Sequence, residues 1–146
     1  MLIDANLLLY SADTTSRFYV PAREWLLDQL NGTRRVGLPW QSLTAFLRVS
    51  TNPRISPSPL SSQVAWDMVQ IWLAAPAAWV PVPGPSHAEL LGELIVRYEI
   101  AGNLVPDAQL AALALEHGLA VCSTDTDFAR FAEVRWTNPL AKRIRH

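Results

Sequence analysis

Apolar positions along the chain form short unbroken runs, and between them lie longer stretches in which they recur at helical spacing. Leu2-Ile3 ends at once in Asp4 and is followed by Leu7-Leu8-Leu9-Tyr10, so the chain opens as a strand tip breaking directly into a helix. Ser11 to Ser16 reads as polar loop. From Pro21 an amphipathic helix carries Trp25, Leu26 and Leu30 on one side and stops at Asn31-Gly32. Val36-Gly37-Leu38 is a second short strand, bounded by Arg35 and Pro39. The helix that begins at Trp40 places Leu43, Phe46, Leu47 and Ser50 on one side and ends before Pro53. Pro53, Pro57 and Pro59 make the next stretch a stiff elbow, because proline removes a backbone donor and fixes φ. Ser61 then caps a helix whose buried stripe is expected to be Val64, Met68, Ile71 and Trp72. Residues 40–75 thus form an apolar helical hairpin, suited to internal packing or to a dimer or partner surface.

In the second half, Trp79-Val80-Pro81-Val82 reads as a strand, and its prolines put it at a sheet edge. Ser86-His87-Ala88-Glu89 has the pattern of a capping box, opening a helix that runs to about Tyr98. After a break at Gly102-Asn103, Pro106-Asp107 opens a strongly helical run that His117-Gly118 stops. Leu119 to Cys122 is the fourth strand, Ser123 to Phe128 a polar loop into a short helix, and Val134-Arg135-Trp136 a last strand. The basic tail from Lys142 to His146 is expected to be mobile. Strands alternating with helices, and strands without polar alternation, predict an α/β fold. The expected architecture is a short, mostly parallel sheet of four to five strands flanked by helices on both faces, in a single domain spanning 1–146.

Composition narrows this picture without changing it. A chain of 146 residues that is 50% hydrophobic and 17% charged can bury a core without disulfides, and its single cysteine, Cys122, lies in an apolar run. The six tryptophans are spread along the chain, as packing residues with one or two at an interface. Net charge is -1, so no global field favours nucleic acid. Acids are nonetheless absent from 29 to 66 while Arg34, Arg35, Arg48 and Arg54 fall there, either as a local basic face or as ordinary solvated arginines. No leader pattern and no apolar run near the roughly 18 residues of a membrane span is present, so the expected location is cytoplasmic, with no membrane partner.

Chemistry enters through the acids. In a parallel sheet the carboxyl ends of strands and the amino ends of the covering helices share one edge. Asp4 ends the first strand, Asp107 starts the helix before the fourth, and Asp125 and Asp127 follow the fourth directly. Each alone is also an ordinary helix-start residue; together they converge on one crevice, which leaves capping of the first helix to Asn6. Clustered carboxylates repel and call for a hard divalent cation, Mg²⁺ or Mn²⁺, rather than zinc, which would need a Cys or His cluster. Such a site suits metal-dependent phosphodiester hydrolysis. His117 is assigned to interaction with the last carbonyls of its helix.

Three stretches carry a resemblance: Ile3 to Tyr10, Gly102 to Ala114, and Ser123 to Phe128 are similar to the three acidic motifs of PIN-domain ribonucleases. The likeness is to VapC toxins of VapBC toxin–antitoxin pairs, and in particular to the mycobacterial type, which Trp40 to Arg48 and Trp136 to Leu140 also resemble. The resemblance spans the whole chain. It implies a Mg²⁺- or Mn²⁺-dependent endoribonuclease toxin with an RNA substrate, a small cognate antitoxin, and a homodimer or a heteromer with that antitoxin. Carried over by position, Asp4, Asp107, Asp125 and Asp127 are the metal ligands, and Asn6 and Thr124 orient them. Arg48 and Arg54 are expected to contact RNA phosphates. One departure stands out: many PIN domains place a Glu near the position of Ala45, where this chain has no acid. Gln41, Ser42 or Thr44 is left to supply a neutral oxygen, or a water to fill the gap, and one well-defined metal site is expected, with a second filled only with RNA present. The alternatives are a catalytically weak PIN-like module that binds RNA or protein, and, fitting less well, a receiver-like phosphotransfer domain, since Asn6 replaces the second Asp that such phosphatases use.

Overall fold

Five two-residue strands make up the sheet, and the three central ones are buried on both faces, which lets so short a pairing hold the core. A computed structural model describes residues 1–141; the basic tail from Lys142 to His146 lies outside the described residues. In chain order the elements are β1 (Leu2–Ile3), α1 (Ala5–Ala12), α2 (Tyr19–Leu30), β2 (Val36–Gly37), α3 (Trp40–Ser50), α4 (Ser62–Ala74), β3 (Ala78–Trp79), α5 (His87–Arg97), α6 (Val105–His117), β4 (Val121–Cys122) and β5 (Trp136–Thr137). Short 3-10 turns cover Gly102–Leu104 and Thr126–Arg130. The sheet is wholly parallel in the order β3-β2-β1-β4-β5, with Leu2 opposite both Gly37 and Val121.

Side chains on successive strand residues point to opposite faces, and this alone divides the core in two. Ile3 and Cys122 join Leu7, Leu8, Leu26, Phe46 and Trp72 under α1 to α4, while Leu2 and Val121 join Leu94, Leu110, Leu113 and Phe128 under α5 and α6. Gly37 belongs to neither side: a Cβ there would lie 3.0 Å from a Leu2 methyl and 3.1 Å from the Met1 carbonyl. β3 is an edge strand as expected, although only Ala78–Trp79 pair, and the prolines fall outside the ladder. β5 is also displaced from the expected run, pairing Trp136 and Thr137 with Val121 and Cys122.

Local chemistry departs from the sequence reading at four points. The buried stripe of α4 is Ala65, Val69 and Trp72: of the expected residues Trp72 is buried and Met68 is half-buried against the core, whereas Val64 and Ile71 are exposed, Ile71 at 65%. Helical spacing fixes a stripe's period but not its phase where apolar residues crowd both sides. The helix that was to begin at Pro21 starts two residues earlier, at Tyr19, since proline is tolerated in a first turn. Ser86 does not form a capping box: its side chain makes no cap bond, and the carboxylate of Glu116 instead accepts the backbone N–H groups of Gly84 (2.8 Å) and Ser86 (3.0 Å). These bonds hold the Glu116 carboxyl below its usual pKa. His117, next in the chain, does not bond its own helix; Nε2 meets the Val82 carbonyl at 2.8 Å and its ring lies edge-on to Trp79. The helix end is completed by Gly118, whose φ of 65° is left-handed backbone that glycine adopts without a Cβ penalty.

Candidate functional site

Leaving β1 the chain builds toward β2 and β3, and after β4 it builds the other way, so β1 and β4 are neighbours whose connections diverge. Beyond the carboxyl ends of such a strand pair a crevice opens, and in open α/β sheets that is where ligands bind. Asp4 stands at the end of β1, and residues 123–127 follow β4.

Asp4 is the N-cap of α1, one oxygen accepting the Ala5 N–H at 2.8 Å. Capping therefore belongs to Asp4 itself and not to Asn6. Its other oxygen accepts from Ser123 Oγ (2.7 Å) and Asn6 Nδ2 (3.3 Å). Asn6 Nδ2 also reaches Ser123 Oγ at 3.0 Å, and Asn6 Oδ1 accepts the Thr124 backbone N–H at 3.4 Å. Thr124 thus contributes its main chain to this network. Ser123, wholly buried, also accepts the Asp125 N–H at 3.0 Å, so one hydroxyl joins both strand ends. Trp136 Nε1 fixes the carbonyl of the same residue at 3.0 Å. Sequence reasoning missed Ser123; the available signal was a hydroxyl residue closing the buried run of β4 two positions before Asp125.

Asp107 occupies the first turn of α6, where Pro106 fits because the first helical N–H groups have no intrahelical partner. Asp125 caps the 3-10 turn by accepting the Asp127 N–H at 2.8 Å. Ligand oxygens of Asp107, Asp125 and Asp127 all lie within 4.8 Å of one another. Asp4 is outside this tightest set, its oxygens held by Ala5, Ser123 and Asn6, yet its charge reaches Asp107.

Electrostatics record the crowding. Burial, then the charges of Asp125, Asp4 and Asp127, push the Asp107 carboxyl up to about 7, against the opposing pull of Arg130. Burial also raises Asp4, outweighing the hydrogen bonds from Ser123 and Ala5, and Asp125 adds to the rise. Arg130, which the sequence reading passed over, lies 3.5 Å from Asp127 and carries the positive charge nearest these acids among the ion pairs of the described residues. The donor set is entirely carboxylate oxygen, which fits a hard divalent cation. Cys122, beside the site in sequence, is buried with its thiol pushed up to about 11 and offers no thiolate.

No carboxylate comes from α3. Ser42 Oγ donates to the Ile3 carbonyl (2.7 Å) and Thr44 Oγ1 to Trp40 (2.8 Å), whereas Gln41 Nε2 donates to the Pro106 carbonyl at 2.6 Å, beside Asp107. Of these neutral groups Gln41 is the one set against the acidic turn. Arg48 and Arg54 are not brought to the acids. α3 runs away from this edge, so Arg48 is about 10 Å along the helix from Gln41 at 1.5 Å per residue, and Arg54 is farther on. Arg35 is committed elsewhere, 4.0 Å over the Trp79 ring.

The PIN domain family model matches residues 1–134. Ribonuclease VapC37 of Mycobacterium tuberculosis is 44% identical over 140 residues, covering 96% of this chain and 97% of the relative. Ribonuclease VapC33 of the same species is 39% identical over 137 residues, covering 94% and 96%. Among solved structures, VapBC2 from Rickettsia felis bound to a promoter DNA fragment superposes with a TM-score of 0.68 at 15% identity, covering 94% of this chain and 96% of that one. Mycobacterium tuberculosis VapC20, a toxin that cleaves the sarcin-ricin loop, gives 0.65 at 14% identity, covering 92% and 98%.

Proposed function

Because the chain belongs to the PIN-domain family, we propose that it is a divalent-metal-dependent endoribonuclease of the VapC type, the toxin of a type II toxin–antitoxin pair. The observation that carries this reading is the convergence of Asp107, Asp125 and Asp127 within 4.8 Å at the carboxyl edge of the sheet, beside Asp4. These acids would hold Mg²⁺ or Mn²⁺. Such an ion, when bound, lowers the pKa of water and offsets charge building on a phosphodiester. What the chain's own residues do is position: Ser123 and Asn6 fix the Asp4 carboxylate, the Asp127 N–H fixes Asp125, and Gln41 ties α3 to the Asp107 turn. With no acid on α3, this arrangement favours one tightly held ion.

The purified chain should cleave RNA with Mg²⁺ or Mn²⁺ and lose cleavage in Asp4→Ala and Asp107→Ala. Undiminished cutting in excess EDTA, or by both variants, overturns the assignment. A second reading, a catalytically weak module that binds RNA or protein, is favoured by the absent α3 carboxylate; it predicts binding without turnover, retained when Asp4 is neutralised.

The partners of this reading are an RNA substrate and a small antitoxin, with a second copy of the chain as a further contact. In support, α4 exposes Val64, Trp66 and Ile71, and an apolar cavity of about 540 Å³ opens between Leu9, Val49, Ile55, Leu60 and Met68. Both lie wholly or partly on the hairpin of residues 40–75. Work on RNA beside an antitoxin would place the protein in the cytoplasm; among the described residues no helix is long and apolar enough to cross a membrane.

A further inference from the structure

The rim of the acidic crevice carries an unpartnered aromatic side chain that the metal site does not use. Trp40 is the first residue of α3, directly after the β2 connection, on the edge that also carries Asp4. Its neighbours are pinned to the site: Ser42 reaches the Ile3 carbonyl, one residue before Asp4, and Gln41 reaches the Pro106 carbonyl, one residue before Asp107. Trp40 itself is 45% exposed, and among the described residues its indole makes no ring stack, cation contact or N–H hydrogen bond. Trp72, by contrast, is buried against Phe46, and Trp79 is covered by Arg35 and His117. Val105, 39% exposed, and exposed Pro106 continue an apolar ledge across the Gln41 bond.

Among the described residues, arginine supplies little recognition along this rim. Arg48 and Arg54 are removed from it, and Arg130 is engaged by Asp127. Apart from a cation held by the acids, a strand crossing this rim has contacts other than arginine–phosphate pairs to draw on. Unpaired bases stack on aromatic faces irrespective of charge. We propose that Trp40 is a stacking platform for an unpaired nucleobase next to the scissile phosphate, and is therefore a specificity-determining residue of the ribonuclease. The proposal rests on the nuclease reading above. It accounts for an exposed indole placed one and two residues before the two pins, Gln41 and Ser42, that fix α3 to the acids.

Two measurements separate this proposal from the reading beneath it. In the Asp107→Asn background, where RNA stays intact, a 12-nucleotide single-stranded oligoadenylate should quench part of the tryptophan emission. Adding Trp40→Phe should remove most of that quenching, and adding Trp40→Ala should weaken binding about 5- to 150-fold, the factor for losing one base–aromatic stack. In the otherwise unaltered chain, cleavage of total bacterial RNA, mapped by sequencing the new 5′ ends, should show a raised KM with little change in kcat for Trp40→Ala. Its base preference beside the cut should be relaxed, and Trp40→Phe should restore most of the loss. Equal quenching and equal binding in the Trp40 variants overturn the stacking role. So does a Trp40→Ala defect confined to kcat, or one that appears only as a changed oligomeric state in light scattering, which would make Trp40 a protein contact. A parent chain that binds and quenches but cuts nothing overturns the nuclease reading and leaves the stacking supported.

Discussion

Neutralising Asp107 should make the metal-free protein more stable while abolishing its activity. In the unfolded chain this carboxyl has its ordinary pKa of 3.8, and in the folded chain it is pushed up to about 7 by burial and by Asp125, Asp4 and Asp127. Between those values the folded state binds more protons than the unfolded one, so stability falls as pH rises through the window, and the loss is complete above about pH 7. A displacement of about three units corresponds to about 4 kcal/mol at 1.36 kcal/mol per unit. Asp107 is only half-buried, so water screens much of this. The charge also gains a few tenths of a kcal/mol or more from the amino end of α6, which the variant forfeits. The net expectation for Asp107→Asn is about 1–2 kcal/mol of stabilisation at pH 8 in EDTA, or a Tm raised by about 3–6 °C for a domain of this size.

Urea unfolding followed by fluorescence at pH 8 and again at pH 4.5 tests the reasoning, because the advantage should shrink on acidification as the parent's carboxyl takes up its proton. Saturating Mn²⁺ should reverse the order: an ion at 100 times its Kd adds about 2.7 kcal/mol to a chain that binds it, and the variant, one ligand short, gains less. An Asn variant less stable than the parent in EDTA at pH 8, or an advantage that does not change with pH, refutes the claim that the acids are mutually strained.

Ser123→Ala leaves the Asp4 carboxylate, Asn6 and the Asp125 N–H without their shared partner. It should cost about 1–3 kcal/mol in urea unfolding, the penalty of unsatisfied buried polar groups, and lower kcat for RNA cleavage, with Ser123→Thr retaining more of both. Glu116→Gln should loosen the chain on either side of Ser86 without touching catalysis. Hydrogen exchange at the Gly84 and Ser86 amides, which Glu116 now accepts, should quicken while the cleavage rate stays at the parent's value; unchanged protection at both would show that the strap is held by something else.

How much could be read beforehand depends on whether a feature is written in a local pattern or in a pairing between distant segments. The alternation of β1, β2 and β4 with helices was legible because strands buried on both faces show as short apolar runs. The turn chemistry of Ser61 and Gly118 was legible too, since each works within four residues of chain. The phase of α4 was not, because Val64 and Ala65 are both apolar and only the partner helix selects between them. Nor was the engagement of Ser86 by Glu116, 30 residues away, which displaces a plausible local cap with a bond no window could contain. Ser123 and Arg130 escaped for the same reason: a serine in a polar loop and an arginine in a short turn acquire meaning only when β4 is set beside β1 and Asp107 is carried back to the same edge by α6.

The capping and site readings of the acids turn out to describe one arrangement. Asp4 accepts from Ala5 and Asp125 from Asp127, each from the backbone of the turn it begins, and Asp107 lies in the first turn of α6. Backbone N–H groups at a turn's start stabilise negative charge and fix the carboxylate's direction at once. That is what a cluster of like charges needs in order to persist without its cation. The residual strain remains greatest at Asp107, whose carboxyl, unlike the other two, accepts no hydrogen bond from the turn it sits in among the described residues and is the one pushed up to about 7. The acid least satisfied by the fold is accordingly the one whose neutralisation should relieve it most and whose loss a bound ion should feel first.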